Sequence, residues 1–117
     1  MGKETLALVR GTLDLLILKA LTWGPAHGYT ITSVIRQSTD GALLVEEGAL
    51  YPALFRMEAK GWIVSEWGLS DNNRRAKYYE LTPKGRKHFQ EEVQTWNAYA
   101  KAVRSALAAA RPGSASA

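Results

Sequence analysis

Between Glu46 and Thr82 the chain changes its apolar period once, and that change limits what it can fold into. From Glu47 to Lys60 the residues Leu50, Leu54 and Met57 recur at helical spacing with Ala53 beside them, which predicts a short helix with one face turned inward. At Gly61 the period drops to two. Trp62, Val64 and Glu66 alternate with Ile63, Ser65 and Trp67, and further on Lys77, Tyr79 and Leu81 alternate with Tyr78 and Glu80. Trp62 to Trp67 and Ala76 to Leu81 are therefore expected as two half-buried strands of a hairpin. The loop between them, Gly68 to Arg75, holds the turn formers Asp71, Asn72 and Asn73 and then Arg74 and Arg75. A helix running straight into a hairpin is the order of the second half of a winged helix-turn-helix.

The outer face of that helix carries Gly48, Pro52, Phe55 and Arg56, flanked by Ala49 and Tyr51. Small residues at a helix start let a backbone approach a DNA groove closely before longer side chains reach base edges and phosphates. An ordinary surface helix would also accept these residues, so the surroundings decide. Pro52 is expected to be tolerated because a start near Glu47 puts its missing bond on the first turn, where donors are mostly unpaired. Glu46 and Glu47 suit the positive end of the helix and are expected to face away from phosphates.

Upstream, Leu13, Leu16, Ile17, Ala20 and Leu21 form the stripe of a buried helix within Gly11 to Thr22, with Thr12 as a cap. Residues 3 to 10 could extend it across Gly11. Leu15 and Leu18 add apolar surface on a second side, which in so small a domain asks for a partner such as another subunit. Trp23-Gly24-Pro25 stops this helix, and His27-Gly28-Tyr29 opens another reaching about Ser38, with Ile31, Val34 and Ile35 inward and Tyr29, Thr32 and Arg36 outward. Asp40-Gly41 supplies the next turn. His27 reads as a capping or surface histidine, since no second metal ligand stands at a useful spacing.

Composition excludes several functions. The chain has 117 residues and no cysteine, which removes disulfides, thiol catalysis and cysteine-ligated zinc. Two distant histidines, no glycine-rich phosphate loop and no nucleophile motif leave no catalytic set, so an enzyme is not expected, nor a metal or cofactor. The apolar run 12 to 23 is interrupted by Asp14 and Lys19 and is too short to span a bilayer, which favours a cytoplasmic protein. The formal charge is +4, and residues 69 to 88 carry all of the excess, with six Lys/Arg against two Asp/Glu. Arg74, Arg75 and Lys77 thus stand where a wing meets the sugar-phosphate backbone or the minor groove. A winged-helix module that binds protein remains the alternative, but it would favour apolar or acidic surfaces over this cluster.

Thr82-Pro83 is a helix start, with Thr82 as cap and Pro83 at the first helical position. From there Phe89, Val93, Trp96, Ala100, Val103 and Leu107 recur with the spacing of a coiled-coil seam. Such a seam outreaches the winged domain and calls for a second subunit. The expected organisation is a winged helix-turn-helix domain over residues 1–82, a dimerisation helix over 83–110 and a flexible tail over 111–117, mainly α with a small β-hairpin. Trp96, midway along the seam, is expected to flank a slot for a flat aromatic ligand, with Leu15, Leu18 and Val93 as its walls.

These residues together resemble the PadR-type transcriptional regulators. The resemblance rests on Arg10-Gly11-Thr12-Leu13, His27-Gly28-Tyr29, Gly48 to Leu54, Arg56-Met57-Glu58 with Gly61, and, on the wing, Arg75, Lys77-Tyr78-Tyr79 and Leu81-Thr82-Pro83-Lys84-Gly85. It covers about residues 10 to 107, in the order and spacing of the family. It implies a homodimeric repressor that binds double-stranded DNA at a palindromic operator and releases it on binding a small aromatic or apolar effector. Two positions depart from the pattern. Ala49 stands where relatives usually carry threonine or serine, and Phe55 where they usually carry a polar or basic residue.

Overall fold

The inward face expected between Glu47 and Lys60 is buried, with Leu50, Ala53, Leu54 and Met57 all within the core. The computed structural model describes Leu8 and residues 11–111. Its elements are α1 (Leu13–Ala20), a 3-10 turn (Leu21–Trp23), β1 (Ala26–His27), α2 (Gly28–Ser38), α3 (Glu47–Ala59), β2 (Ile63–Leu69), β3 (Arg75–Leu81) and α4 (Pro83–Ala108). The extension expected over residues 3 to 10, Leu8 apart, and the tail beyond Arg111 lie outside the described residues. Gly11 adopts φ +89°, so no continuous helix runs through it. Thr12 stands at the N-cap position of α1, and there its carbonyl accepts from the Leu16 N–H at 3.1 Å.

Helices α1, α2 and α3 pack around Ile17, Leu21, Ile31, Ile35, Leu50 and Met57, and the sheet closes the core with Ile63, Tyr79 and Leu81. Leu13, Leu16 and Val34, expected inside, are only partly buried against this cluster. Leu18 is fully buried in it. It therefore neither faces a second subunit nor can line a ligand slot, whereas Leu15 stays half-buried.

The sheet has three antiparallel strands in the order β1-β3-β2, where the spacing predicted two. Ala26 pairs with Tyr79 and His27 with Tyr78, which ties the start of α2 to the hairpin. The hairpin is also longer than expected, running to Leu69 on one strand and from Arg75 on the other. Only its base is buried. Ile63, Tyr79 and Leu81 face the core, while Val64, Trp67 and Leu69 stand exposed as the ribbon leaves the domain.

The entry to α4 is a tight joint. Thr82 caps the helix by accepting from the Gly85 N–H at 2.9 Å, and its hydroxyl donates to the Gly61 carbonyl at 2.6 Å. The Thr82 N–H donates to the Trp62 carbonyl at 3.0 Å. A Cβ on Gly85 would stand 1.9 Å from that same oxygen, so the helix can approach the strand only with glycine there. Beyond the joint α4 extends for 26 residues, about 39 Å at the usual rise. Its last turns leave the domain, giving a molecule of 69 × 40 × 22 Å.

Candidate nucleic-acid interface

Gly48, Ala49, Pro52 and Phe55 form one exposed face of α3, and Phe55 is 77% exposed. Nothing lies within 4 Å of where a Gly48 Cβ would stand, so this face is open at its leading end. The helix starts at Glu47 as expected, but Pro52 is its sixth residue and so lies beyond the first turn, with no N–H to offer the Gly48 carbonyl. The helix tolerates this because both residues face solvent.

Two flanking residues are less free than their spacing suggested. The Arg56 guanidinium pairs with the Asp14 carboxylate in the first turn of α1, so Arg56 ties two helices together on the edge of the face. Tyr51 is about half exposed, but its hydroxyl end turns onto α2, where a Cβ on Gly28 would meet its oxygen at 2.3 Å. Beneath it Tyr79 is buried in the sheet. Desolvation raises the Tyr79 pKa above the ordinary 10.0, and nearby Tyr51 and Glu58 push it the same way. Glu58 in turn accepts from the Ser65 hydroxyl at 2.7 Å, fixing α3 to β2.

The tip of the wing is a hydrogen-bonded turn. The Ser70 N–H donates to the Arg74 carbonyl and the Asn73 N–H to the Ser70 carbonyl, both at 2.8 Å, and Asn73 takes φ +62°. Tyr78 lies over Gly68 and donates its phenol proton to the Leu69 carbonyl at 2.9 Å, which fills the gap left by the glycine. On the opposite side of the ribbon the Arg75 guanidinium lies 4.4 Å and the Lys77 ammonium 5.9 Å from the centre of the Trp67 ring.

Between α2 and the wing runs an open groove of about 520 Å³, with His27, Tyr29 and Thr30 on one bank and Ser70, Asn72, Arg74 and Arg75 on the other. Tyr29, Arg74 and Arg75 were expected at a DNA surface. His27, Thr30, Ser70 and Asn72 were not, because only the pairing of β1 with β3 brings α2 against the wing. The His27 ring meets Tyr78 edge-on at 5.2 Å, which holds that bank in place.

A second cleft, of about 280 Å³, lies between α1 and α4 and is lined by Leu15, Thr95, Trp96 and Tyr99 among others. It brings Leu15 and Trp96 together and adds Tyr99, whose ring centre is 6.3 Å from that of Trp96. Leu18 is sealed in the core, and Val93 is half-buried without lining this cleft. Among the described residues no group of three His, Cys, Asp or Glu could hold a metal ion, and no helix is long and apolar enough to cross a membrane.

An exposed helix with small residues at its leading end, flanked by a cation-bearing hairpin, defines a winged helix-turn-helix protein of the DNA-binding class. Residues 17–91 match the family described as "Transcriptional regulator PadR-like family", and the chain belongs to it. It is 33% identical over 90 residues to an uncharacterized protein of Lysinibacillus sphaericus, covering 76% of this chain and 82% of that protein. It is 32% identical over 94 residues to a transcriptional regulator of Mycobacterium tuberculosis, covering 80% and 84%. A solved transcriptional regulator from Clostridium thermocellum superposes with a TM-score of 0.75 at 34% identity, over 82% of this chain and 93% of that one. A PadR family transcription regulator from Clostridium difficile gives 0.72 at 32%, over 83% and 99%. The protein is thus a transcriptional regulator rather than an enzyme, as the resemblance in its motifs implied.

Proposed function

We propose that the protein is a homodimeric repressor that binds a palindromic operator and leaves it when a flat aromatic or apolar effector occupies the cleft beside Trp96. The observation that carries the DNA contact is the shared exposure of the α3 face and the wing cations on either side of the α2 start. In this reading Gly48, Ala49 and Pro52 let α3 enter the major groove, and Phe55 gives apolar contact, for instance to a thymine methyl. Tyr29, Arg74, Arg75 and Lys77 hold the sugar-phosphate backbone, while Arg56 and Tyr51 fix the angle of the helix at the groove edge.

The dimer is supported by α4. Trp96 and Val103 are each 37% exposed and Leu107 82%, along a helix whose last turns leave the domain. Covering them removes apolar area at about 25 cal/mol per Å², so a second copy of the helix is a favourable partner, with Val93 and Ala100 on the same seam and Phe89 at its start, where it packs partly against its own core. Two-fold pairing would place two DNA-reading faces at a fixed spacing, as a palindrome requires. The domain roles follow: residues 1–82 read DNA and 83–110 join the subunits. Titration of indole fluorescence with planar aromatic cations and phenolic acids, in wild type and Trp96→Leu, tests the effector site. Binding that survives the substitution unchanged would place the effector elsewhere.

A further inference from the structure

We propose that Trp67 is the platform that aims the wing's cations at the DNA backbone, a positioning residue for the contact proposed above and resting on that reading. Trp67 is 55% exposed, near the outer end of β2 and beyond the buried base of the hairpin, so core packing does not account for so large a side chain there. The register sets it directly opposite Lys77, with Leu69 opposite Arg75 one pair further out. Period-two alternation places all four on the sheet face that Ser65 uses to bond Glu58 of α3. They therefore stand on the α3 side of the wing. There the guanidinium of Arg75 lies 4.4 Å and the ammonium of Lys77 5.9 Å from the indole centre.

The choice of partner matters. A carboxylate would hold these two side chains but would also neutralise them, and among the described residues none does so. An aromatic face attracts a cation through its quadrupole and leaves the full charge to interact with a phosphate. It also removes rotamers that Arg75 and Lys77 would otherwise lose on binding, so the wing meets the backbone with its charges already placed. Arg74, at the loop end, has no such platform.

Duplex affinity measured against salt concentration, on Trp67→Leu and Trp67→Phe, tests this. Leucine keeps apolar bulk without a ring quadrupole, whereas phenylalanine keeps the quadrupole. Trp67→Leu is expected to weaken binding about three-fold per subunit, about ten-fold for a dimer, with the protein still fully folded at the assay temperature. The salt slope should become shallower by about one or two units. Trp67→Phe should restore most of both, and in the double variant the losses of Arg75→Ala and Trp67→Leu should sum to less than their single values, because part of each is the same placement of Arg75. Unchanged affinity and slope in Trp67→Leu would overturn the platform alone, as would a loss that phenylalanine does not restore or additive losses in the double variant. A wild type that binds no duplex would overturn the DNA contact itself and this inference with it.

Discussion

Replacing Gly85 by alanine sets the added methyl 1.9 Å from the Trp62 carbonyl oxygen and 2.7 Å from its carbonyl carbon, although real Cβ contacts essentially never fall under 3.0 Å. Both neighbours are backbone, so no side chain can swing aside. The start of α4 must instead withdraw from β2 by more than an ångström. That withdrawal breaks the Thr82 N–H to Trp62 bond at 3.0 Å and the Thr82 hydroxyl bond to Gly61 at 2.6 Å, and disturbs the cap at 2.9 Å. At about 1 kcal/mol per bond the loss is about 3 kcal/mol. For a domain of this size that lowers the melting temperature by roughly 12 °C. Thermal unfolding followed by circular dichroism at one fixed protein concentration measures it, because a dimer melts at a concentration-dependent temperature. Gly48→Ala is the control, since nothing lies within 4 Å of its added methyl, and it should be neutral or slightly stabilising. A Gly85→Ala protein melting within about 2 °C of wild type would refute the joint as the anchor of α4.

Three further perturbations have defined outcomes. Val103→Asp puts a charge on the exposed seam of α4, so sedimentation at micromolar concentration should show monomer and operator affinity should collapse with it. Phe55→Ala should weaken the operator more than random duplex, while Arg74→Ala should weaken both alike in a gel shift, because the proposed reading has Phe55 touch bases and Arg74 phosphates. The raised Tyr79 pKa means that the folded state holds the phenol proton more tightly than the unfolded chain. The associated stability is present below about pH 10 and is lost as pH rises through the folded value, so urea unfolding of Tyr79→Phe should lack that alkaline loss.

What was legible in the sequence was local. The α3 stripe, the Asp40-Gly41 turn with both residues at positive φ, and the Thr82-Pro83 start of α4 depend on residues within one or two turns of each other. What was missed depends on distant partners. β1 is two residues long, too short to show a period, and exists only because Tyr78 and Tyr79 pair with it across some fifty residues of chain. Leu18 looked like surplus apolar surface because the helix periodicity does not reveal that the domain core reaches around α1 far enough to cover it. Arg56 is exposed, as its angle on the helix suggested, but its attraction to Asp14 on another helix could not be read from the spacing. The cations of the wing were visible as a cluster, but their arrangement on Trp67 needed the strand register.

The most direct test of the account is the salt dependence of duplex binding by the wild-type protein. A dimer that neutralises a few phosphates per subunit through Arg74, Arg75, Lys77 and neighbouring groups should bind random duplex at low salt. The logarithm of its affinity should fall against the logarithm of salt concentration with a slope of about −5 to −9. A flat response, or no binding at low salt, would contradict the assignment of α3 and the wing as a nucleic-acid surface.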